Sequence, residues 1–322
     1  MSAPVVVEVA GLVKQYRKSS TRAVDGVDFE VRRGEFFALL GPNGAGKTTT
    51  ISILTTTLLP TSGTVRVVGH DVVTEPAAVR ERVGIIFQQP SLDLNLTGEQ
   101  NVRLHAILYG VSPYRTSYRA MPKGYRDTVG ELAELLGLGE EIFRPVRTLS
   151  GGMKRKLEIL RSLLHRPEVL FLDEPTAGLD PASRRDLWSY LRTVQEESGT
   201  TVFLTTHYLE EAEDADRVCV IARGRVQATG SPRELTQRLV GQQEVVIDAD
   251  DRTALAAELK RRRIASTGDG PFHVVAADTD VAPLLARIKT PLTLVRTHAP
   301  TLEDAYLDII ASAGHAEEPV DA

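Results

Sequence analysis

The sequence predicts an α/β fold: a mixed sheet at the core, a smaller antiparallel β portion, a helical insertion and a small α+β unit behind them. Three apolar runs carry that expectation: Glu35-Phe36-Phe37-Ala38-Leu39-Leu40, Val169-Leu170-Phe171-Leu172 and Thr201-Val202-Phe203-Leu204-Thr205-Thr206. None of them alternates with polar residues, which is the pattern of a parallel strand buried on both faces. Each also ends in residues with chemistry to offer. A glycine-rich loop follows the first, Asp173-Glu174 closes the second, and His207 follows the third. Ligands bind at the carboxyl ends of strands in sheets of this kind.

The remaining elements follow in chain order. Residues 5–9, 27–31 and 64–68 alternate or cluster apolar side chains, as strands of the antiparallel portion do. Residues 48–59 read as a helix. Residues 97–165 are helical in pattern, and Met153, Leu157, Leu160 and Leu164 share one helix face. Gly224 and Gly230 mark turns around a hairpin of residues 218–221 and 225–228. The character changes after Leu239, so the main domain is placed at 1–239 and the accessory unit at 240–313. Strands are expected there at 244–248, 272–276 and 292–295, and helices at 252–262, 281–288 and 302–312. Residues 314–322 read as an acidic tail.

The first loop is the most informative segment. Gly41-Pro42-Asn43-Gly44-Ala45-Gly46-Lys47-Thr48 fits G-x-x-x-x-G-K-[ST], a phosphate-binding loop. Glycines let successive backbone N–H groups turn toward a polyphosphate, and the following helix points its positive end the same way. Lys47 can reach the β- and γ-phosphates, and the Thr48 hydroxyl can ligate Mg²⁺. Asp173 stands where such a cation needs a carboxylate. Glu174, one residue on, is expected to point elsewhere and could accept a proton from an attacking water. His207 could contact the γ-phosphate or that water. Upstream, Leu149-Ser150-Gly151-Gly152 opens a helix, with Ser150 near its N-terminus and two glycines leaving N–H groups accessible to an anion.

In this order the motifs resemble the ATP-binding subunit of ABC transporters, over about residues 5–235. Tyr16 matches the aromatic residue that stacks on adenine, and Gly41 to Thr49 match the Walker A loop. Gln88 matches the Q-loop glutamine, Leu149 to Lys154 the signature motif, and Val169 to Glu174 Walker B. Ala177 to Asp180 match the D-loop and His207 the switch histidine. The resemblance implies ATP and Mg²⁺ as cofactors, with Thr48, Gln88 and Asp173 around the cation. It implies ATP hydrolysis with Glu174, His207, Gln88 and Lys47 as the working residues. It also implies a head-to-tail homodimer, in which the signature motif with Ser150, Gly151 and Gly152 serves the partner's nucleotide, and it counts Asp180 of the D-loop among the nucleotide-binding residues. Residues 299–307, 150–159 and 206–212 further resemble drug-exporter ATPases of the daunorubicin-resistance type.

Composition limits the alternatives. The chain has 322 residues, 42% hydrophobic and 25% charged, with a net charge of −5, so no global basic field favours nucleic acid. Cys219, alone of its kind, reads as a small buried hydrophobe. No signal peptide is apparent, and no apolar run approaches the ~20 residues that span a bilayer. A permease would therefore be another chain, with this one on the cytoplasmic side of the membrane as a peripheral subunit. A hydrophobic antibiotic or a lipid is the expected cargo. The alternative is a non-transport ABC ATPase of DNA repair or translation. Repair members need long coiled coils, and no sustained heptads appear; translation members carry two ATPase domains, and this chain has one. Residues 112–126 depart from the usual pattern, with Arg115, Arg119, Lys123 and Arg126 interleaved with Tyr114, Tyr118 and Tyr125. Such a stretch suits nucleic acid, a lipid interface or a solvated loop.

Overall fold

The computed structural model describes residues 3–89, 91–239, 243–276, 282–298 and 301–315. These residues form two compact units, divided between Thr229 and Gly230.

The first unit opens with strands β1 (Val5–Gln15), β2 (Arg22–Arg32) and β3 (Phe36–Leu40), followed by helix α1 (Lys47–Leu54). Next come β4 (Ser62–Val67), β5 (His70–Asp71), α2 (Pro76–Arg82) and β6 (Val83–Ile86). The helical insertion contains α3 (Gly98–Leu108), α4 (Lys123–Leu135) and α5 (Gly151–Leu163). The chain then returns through β7 (Val169–Asp173), α6 (Pro181–Ser198), β8 (Thr201–Thr206), α7 (Leu209–Glu213), β9 (Arg217–Ala222) and β10 (Arg225–Gly230).

These strands sort into two sheets. The antiparallel sheet has the order β2-β1-β4-β5, and the larger one β10-β9-β3-β8-β7-β6. In the larger sheet β3 runs parallel to β8 and β9, and β7 parallel to β6 and β8. Every residue of β3, β7 and β8 is buried, as unbroken apolar runs require. Phe29, Phe37, Phe171 and Phe203 pack ring against ring between the two sheets. With β3, β7 and β8 side by side and parallel, the phosphate loop, Asp173 and His207 all emerge at one edge.

Helix α1 is shorter than its pattern suggests and ends at Leu54 rather than near residue 59. The Thr55 hydroxyl donates to the Ile51 carbonyl and the Thr57 hydroxyl to that of Ser52, while Thr56 turns to φ 62°. Side-chain hydroxyls thus take over carbonyls that a longer helix would use.

The second unit contains α8 (Pro232–Leu239), β11 (Gln243–Asp248), α9 (Arg252–Arg261), β12 (Ser266–Thr267), β13 (Phe272–Ala276), α10 (Ala282–Ala286), β14 (Leu294–His298) and α11 (Leu302–His315). Its sheet has the order β12-β13-β11-β14, over a core that includes Val245, Ile247, Leu255, Leu259 and Val274. Helix α8 packs on α11, which groups it with this unit although its sequence directly continues the preceding domain. Glu258 joins α9 to the loop between α10 and β14, accepting from Arg262 Nε, Lys289 N, Thr290 N and the Thr290 hydroxyl. Those donors hold its carboxyl down at about 2. The tail expected from residue 314 begins within α11, and residues 316–322 lie outside the described residues, as does Pro90.

Candidate functional site

A cleft of about 630 Å³ opens at the carboxyl edge of β3, β7 and β8, lined among others by Gly44, Lys47, Thr48, Gln88, Glu174 and His207. Gly41 and Gly46 fix the path of the loop above it. A Cβ on Gly41 would stand 2.2 Å from the Ile221 carbonyl oxygen, and one on Gly46 2.5 Å from that of Ala23. Gly46 also holds φ 104°, a conformation that only glycine adopts without strain.

Lys47 is buried at the start of α1 and donates to the carbonyls of Gly41 (2.7 Å) and Pro42 (3.1 Å). Its ammonium lies 3.5 Å from Glu174 Oε1. Burial pulls the lysine below its ordinary range, and the Glu174 carboxylate opposes that pull. The Thr48 hydroxyl donates to Asp173 Oδ1 at 3.3 Å, and the Thr205 hydroxyl donates to the same oxygen at 2.5 Å. Burial raises the Asp173 carboxyl, although these two hydroxyls oppose the shift. Thr48 and Asp173 therefore offer a pair of hard oxygen donors, the type that Mg²⁺ takes.

Glu174 departs from the simple strand expectation. Alternation would send it away from Asp173, yet its φ of 44° ends β7 with a sharp turn. The Thr205 carbonyl and hydroxyl both accept from the Glu174 N–H and hold that turn in place. The carboxylate swings into the cleft instead. Gln88 Nε2 donates to its Oε2 at 3.2 Å, and His207 Nδ1 lies 3.3 Å from its Oε1. One carboxylate thus gathers Lys47, Gln88 and His207. Gln88 is engaged with Glu174 rather than with the Thr48–Asp173 pair. Tyr16 is 45% exposed, with its hydroxyl 3.2 Å from Thr49 Oγ1, so it presents a ring face beside the loop.

Ser150 to Gly152 and Asp180 lie outside the residues that line this cleft. Ser150 caps α5, accepting from the Met153 N–H, and Asp180 caps α6, accepting from Ala182 and Ser183. Gly152 faces Ser183 so closely that a Cβ would meet the hydroxyl at 2.9 Å. The two caps therefore form a second cluster on the same unit.

The sequence gives no role to Arg155, and the structure gives it a central one. Its buried guanidinium donates to the carbonyls of Phe87 (2.7 Å) and Pro175 (2.9 Å) and to Glu158 Oε2 (2.9 Å). Glu158 in turn accepts from the Ser91 N–H at 2.7 Å. Helix α5 is tied in this way to the segments just before Gln88 and just after Glu174. A buried Arg at i and Glu at i+3, off the apolar stripe, is the only signal the sequence carries for it. Removing one partner of a buried ion pair strands the other, so Arg155→Ala is expected to cost roughly 3–5 kcal/mol in urea unfolding. A loss well below 1 kcal/mol would show that the pair does not hold α5 to these segments.

A phosphate loop on α1, a carboxylate pair at the end of β7 and a histidine at the end of β8 define a nucleoside-triphosphate hydrolase. The "ABC transporter" family model matches residues 24–177. The chain is 44% identical to the daunorubicin/doxorubicin resistance ATP-binding protein DrrA of Streptomyces peucetius, covering 94% of this chain and 86% of that protein. It is 39% identical to the Nod factor export ATP-binding protein I of Ralstonia nicotianae, covering 91% and 87%. A dimeric ATP-binding cassette solved in a post-hydrolysis state with ADP and Pi superposes with a TM-score of 0.62 at 27% identity, covering 70% of this chain and 98% of that one. The chain belongs to the ABC transporter family as an ATP-binding subunit. Its enzymatic activity is ATP hydrolysis. Among the described residues no helix is long and apolar enough to cross a membrane.

Proposed function

We propose that this chain powers a membrane exporter of hydrophobic drugs or lipids, working as a head-to-tail homodimer beneath a separate permease. The observation that carries the dimer is the separation of two clusters on one unit. Lys47, Gln88, Glu174 and His207 converge on the phosphate loop, whereas Ser150, Gly151 and Gly152 do not line that cleft. A second copy would bring its own α5 N-terminus, with Ser150, to the open side of the nucleotide, and Asp180 would hold the neighbouring turn. The export direction and the cargo class follow from the relatives' names. The reading places the chain on the cytoplasmic side of the membrane and gives it no nucleic acid.

Within the site, Tyr16 would stack on adenine, and Lys47 with the loop from Gly41 to Thr49 would hold the phosphates. Thr48 and Asp173 would hold Mg²⁺, with Gln88 reaching it once released from Glu174. The cation supplies charge neutralisation at the β- and γ-phosphates when bound. Glu174 would take the proton of the attacking water, and His207, 3.3 Å away, would fix the carboxylate and face the γ-phosphate. Positioning and electrostatics supply most of the rate in such reactions.

Mixing two inactive variants tests the arrangement. Ser150→Arg protein and Lys47→Ala protein should each be inactive alone. In a heterodimer one site regains an intact Lys47 and an intact Ser150, so the mixture should recover a fraction of wild-type ATPase activity. A mixture as silent as its components, with dimers present by light scattering, would rule out sharing of Ser150 between copies.

A further inference from the structure

The end of α3 and the loop after it carry an apolar tip that the ATPase site does not use. Leu108 is 74% exposed and Tyr114 68%, with Leu104, Tyr109 and Val111 also exposed. Leu104 and Leu108 stand one turn apart on the same face of α3. The loop folds back along that helix, for the Val111 N–H donates to the Ala106 carbonyl and Arg103 donates to the Arg115 carbonyl. Leu104, Leu108 and the segment from Tyr109 to Tyr114 are therefore neighbours in space as well as in sequence.

The charge around this tip is one-sided. Residues 100–126 contain no Asp or Glu and carry four Arg and one Lys, in a chain of net charge −5. Arg103 is engaged with the buried Glu99 in a largely buried pair. Arg115, Arg119 and Lys123 are exposed, and Arg115 directly follows Tyr114, with its carbonyl accepting from Arg103 of α3. The tyrosines that the sequence groups together divide in the structure. Tyr125 is buried and Tyr118 packs edge-on against it and Phe143, so Tyr114 is the exposed ring.

We propose that this tip is a contact surface for an anionic lipid bilayer. Exposed leucines give it apolar area to sink into the headgroup boundary, and Tyr109 and Tyr114 suit the interface by having a greasy ring and a polar end. Arg115, Arg119 and Lys123 then face lipid phosphates. An acidic chain is repelled by an anionic membrane over most of its surface, so a basic tip both attracts it and orients it. The proposal deepens the proposed membrane association and rests on it for the physiological setting, while the contact itself needs no permease.

The test uses the full chain and protein-free vesicles, either zwitterionic phosphatidylcholine or phosphatidylcholine with a third phosphatidylglycerol, in co-sedimentation at low and high salt. Wild type should pellet with the anionic vesicles and release in high salt. Arg115→Gln with Arg119→Gln should weaken partition by about fivefold per charge removed, and Leu108→Asp with Tyr114→Asp should abolish it. All these residues are exposed, and ATPase activity in solution should stay at the wild-type level in each variant. Absence of wild-type binding to anionic vesicles, or binding that the variants leave unchanged, overturns the lipid contact while leaving the ATPase reading intact. Loss of ATPase activity in wild type would instead strike the proposed function.

Discussion

Lys47→Ala should lower the rate of ATP hydrolysis by about 10²–10³-fold or more and weaken nucleotide binding with it. The side chain is buried, and its ammonium already bridges two loop carbonyls and the Glu174 carboxylate. It thus holds a positive charge in a low-dielectric pocket at the position where charge on the transferred phosphoryl group is greatest. Burial that depresses its pKa raises the value of an added anionic partner, because a polyphosphate restores the charge balance that Glu174 supplies only in part. Alanine removes the charge and leaves Glu174 facing the phosphates unopposed. The loss should therefore appear in both KM and kcat. Steady-state ATPase assays give the rate, and thermal melting with and without nucleotide gives the binding. Wild-type turnover in a folded variant would sink the assignment of this loop to phosphate binding.

Much of the fold was legible because burial on both faces leaves an unmistakable trace. The runs that became β3, β7 and β8 contain hardly a polar side chain before their ends, and each delivers its functional residue at the carboxyl edge. The residues that line the cleft beside the loop were legible for a related reason. Gly41 and Gly46 sit where a Cβ would strike backbone, which is a local constraint that a sequence can express. Strands of two residues such as β5 and β12 escape a period-two pattern altogether, since two positions cannot show a period.

What the sequence hid depends on long-range partners. The direction of Glu174 follows from a positive φ, stabilised by Thr205 on the neighbouring strand, and nothing within the local sequence announces it. The Arg155–Glu158 pair looks like an exposed helix pair until Phe87, Ser91 and Pro175 are placed around it. Leu92, Leu94 and Leu96 alternate beside Gln88 with no local sign of which of them is covered. In the structure Leu92 is buried, Leu96 is half-buried and only Leu94 stands out at 49% exposure. The backbone there is pinned as well, with Arg147 N–H donating to the Leu94 carbonyl and Val146 N–H to that of Leu96.

Glu174→Gln should separate binding from chemistry more cleanly than any other change. The amide keeps the shape of the side chain and its place between Gln88 and His207, 3.2 and 3.3 Å away. It cannot take a proton from water, so hydrolysis should fall by about 10²–10⁴-fold. ATP affinity should hold or rise, because the substitution removes a negative charge from a cleft that receives a polyphosphate. The ammonium of Lys47, 3.5 Å from the present carboxylate, would then be fully available to the nucleotide. If two copies close over two ATP molecules, and hydrolysis is what reopens them, the variant should accumulate as a dimer. Light scattering with saturating Mg·ATP should report about twice the monomer mass for Glu174→Gln and mostly monomer for wild type at the same concentration. Undiminished hydrolysis would remove Glu174 from the role of base. Lost hydrolysis with the variant monomeric at saturating ATP would keep the base and discard the closed head-to-tail pair for the isolated subunit.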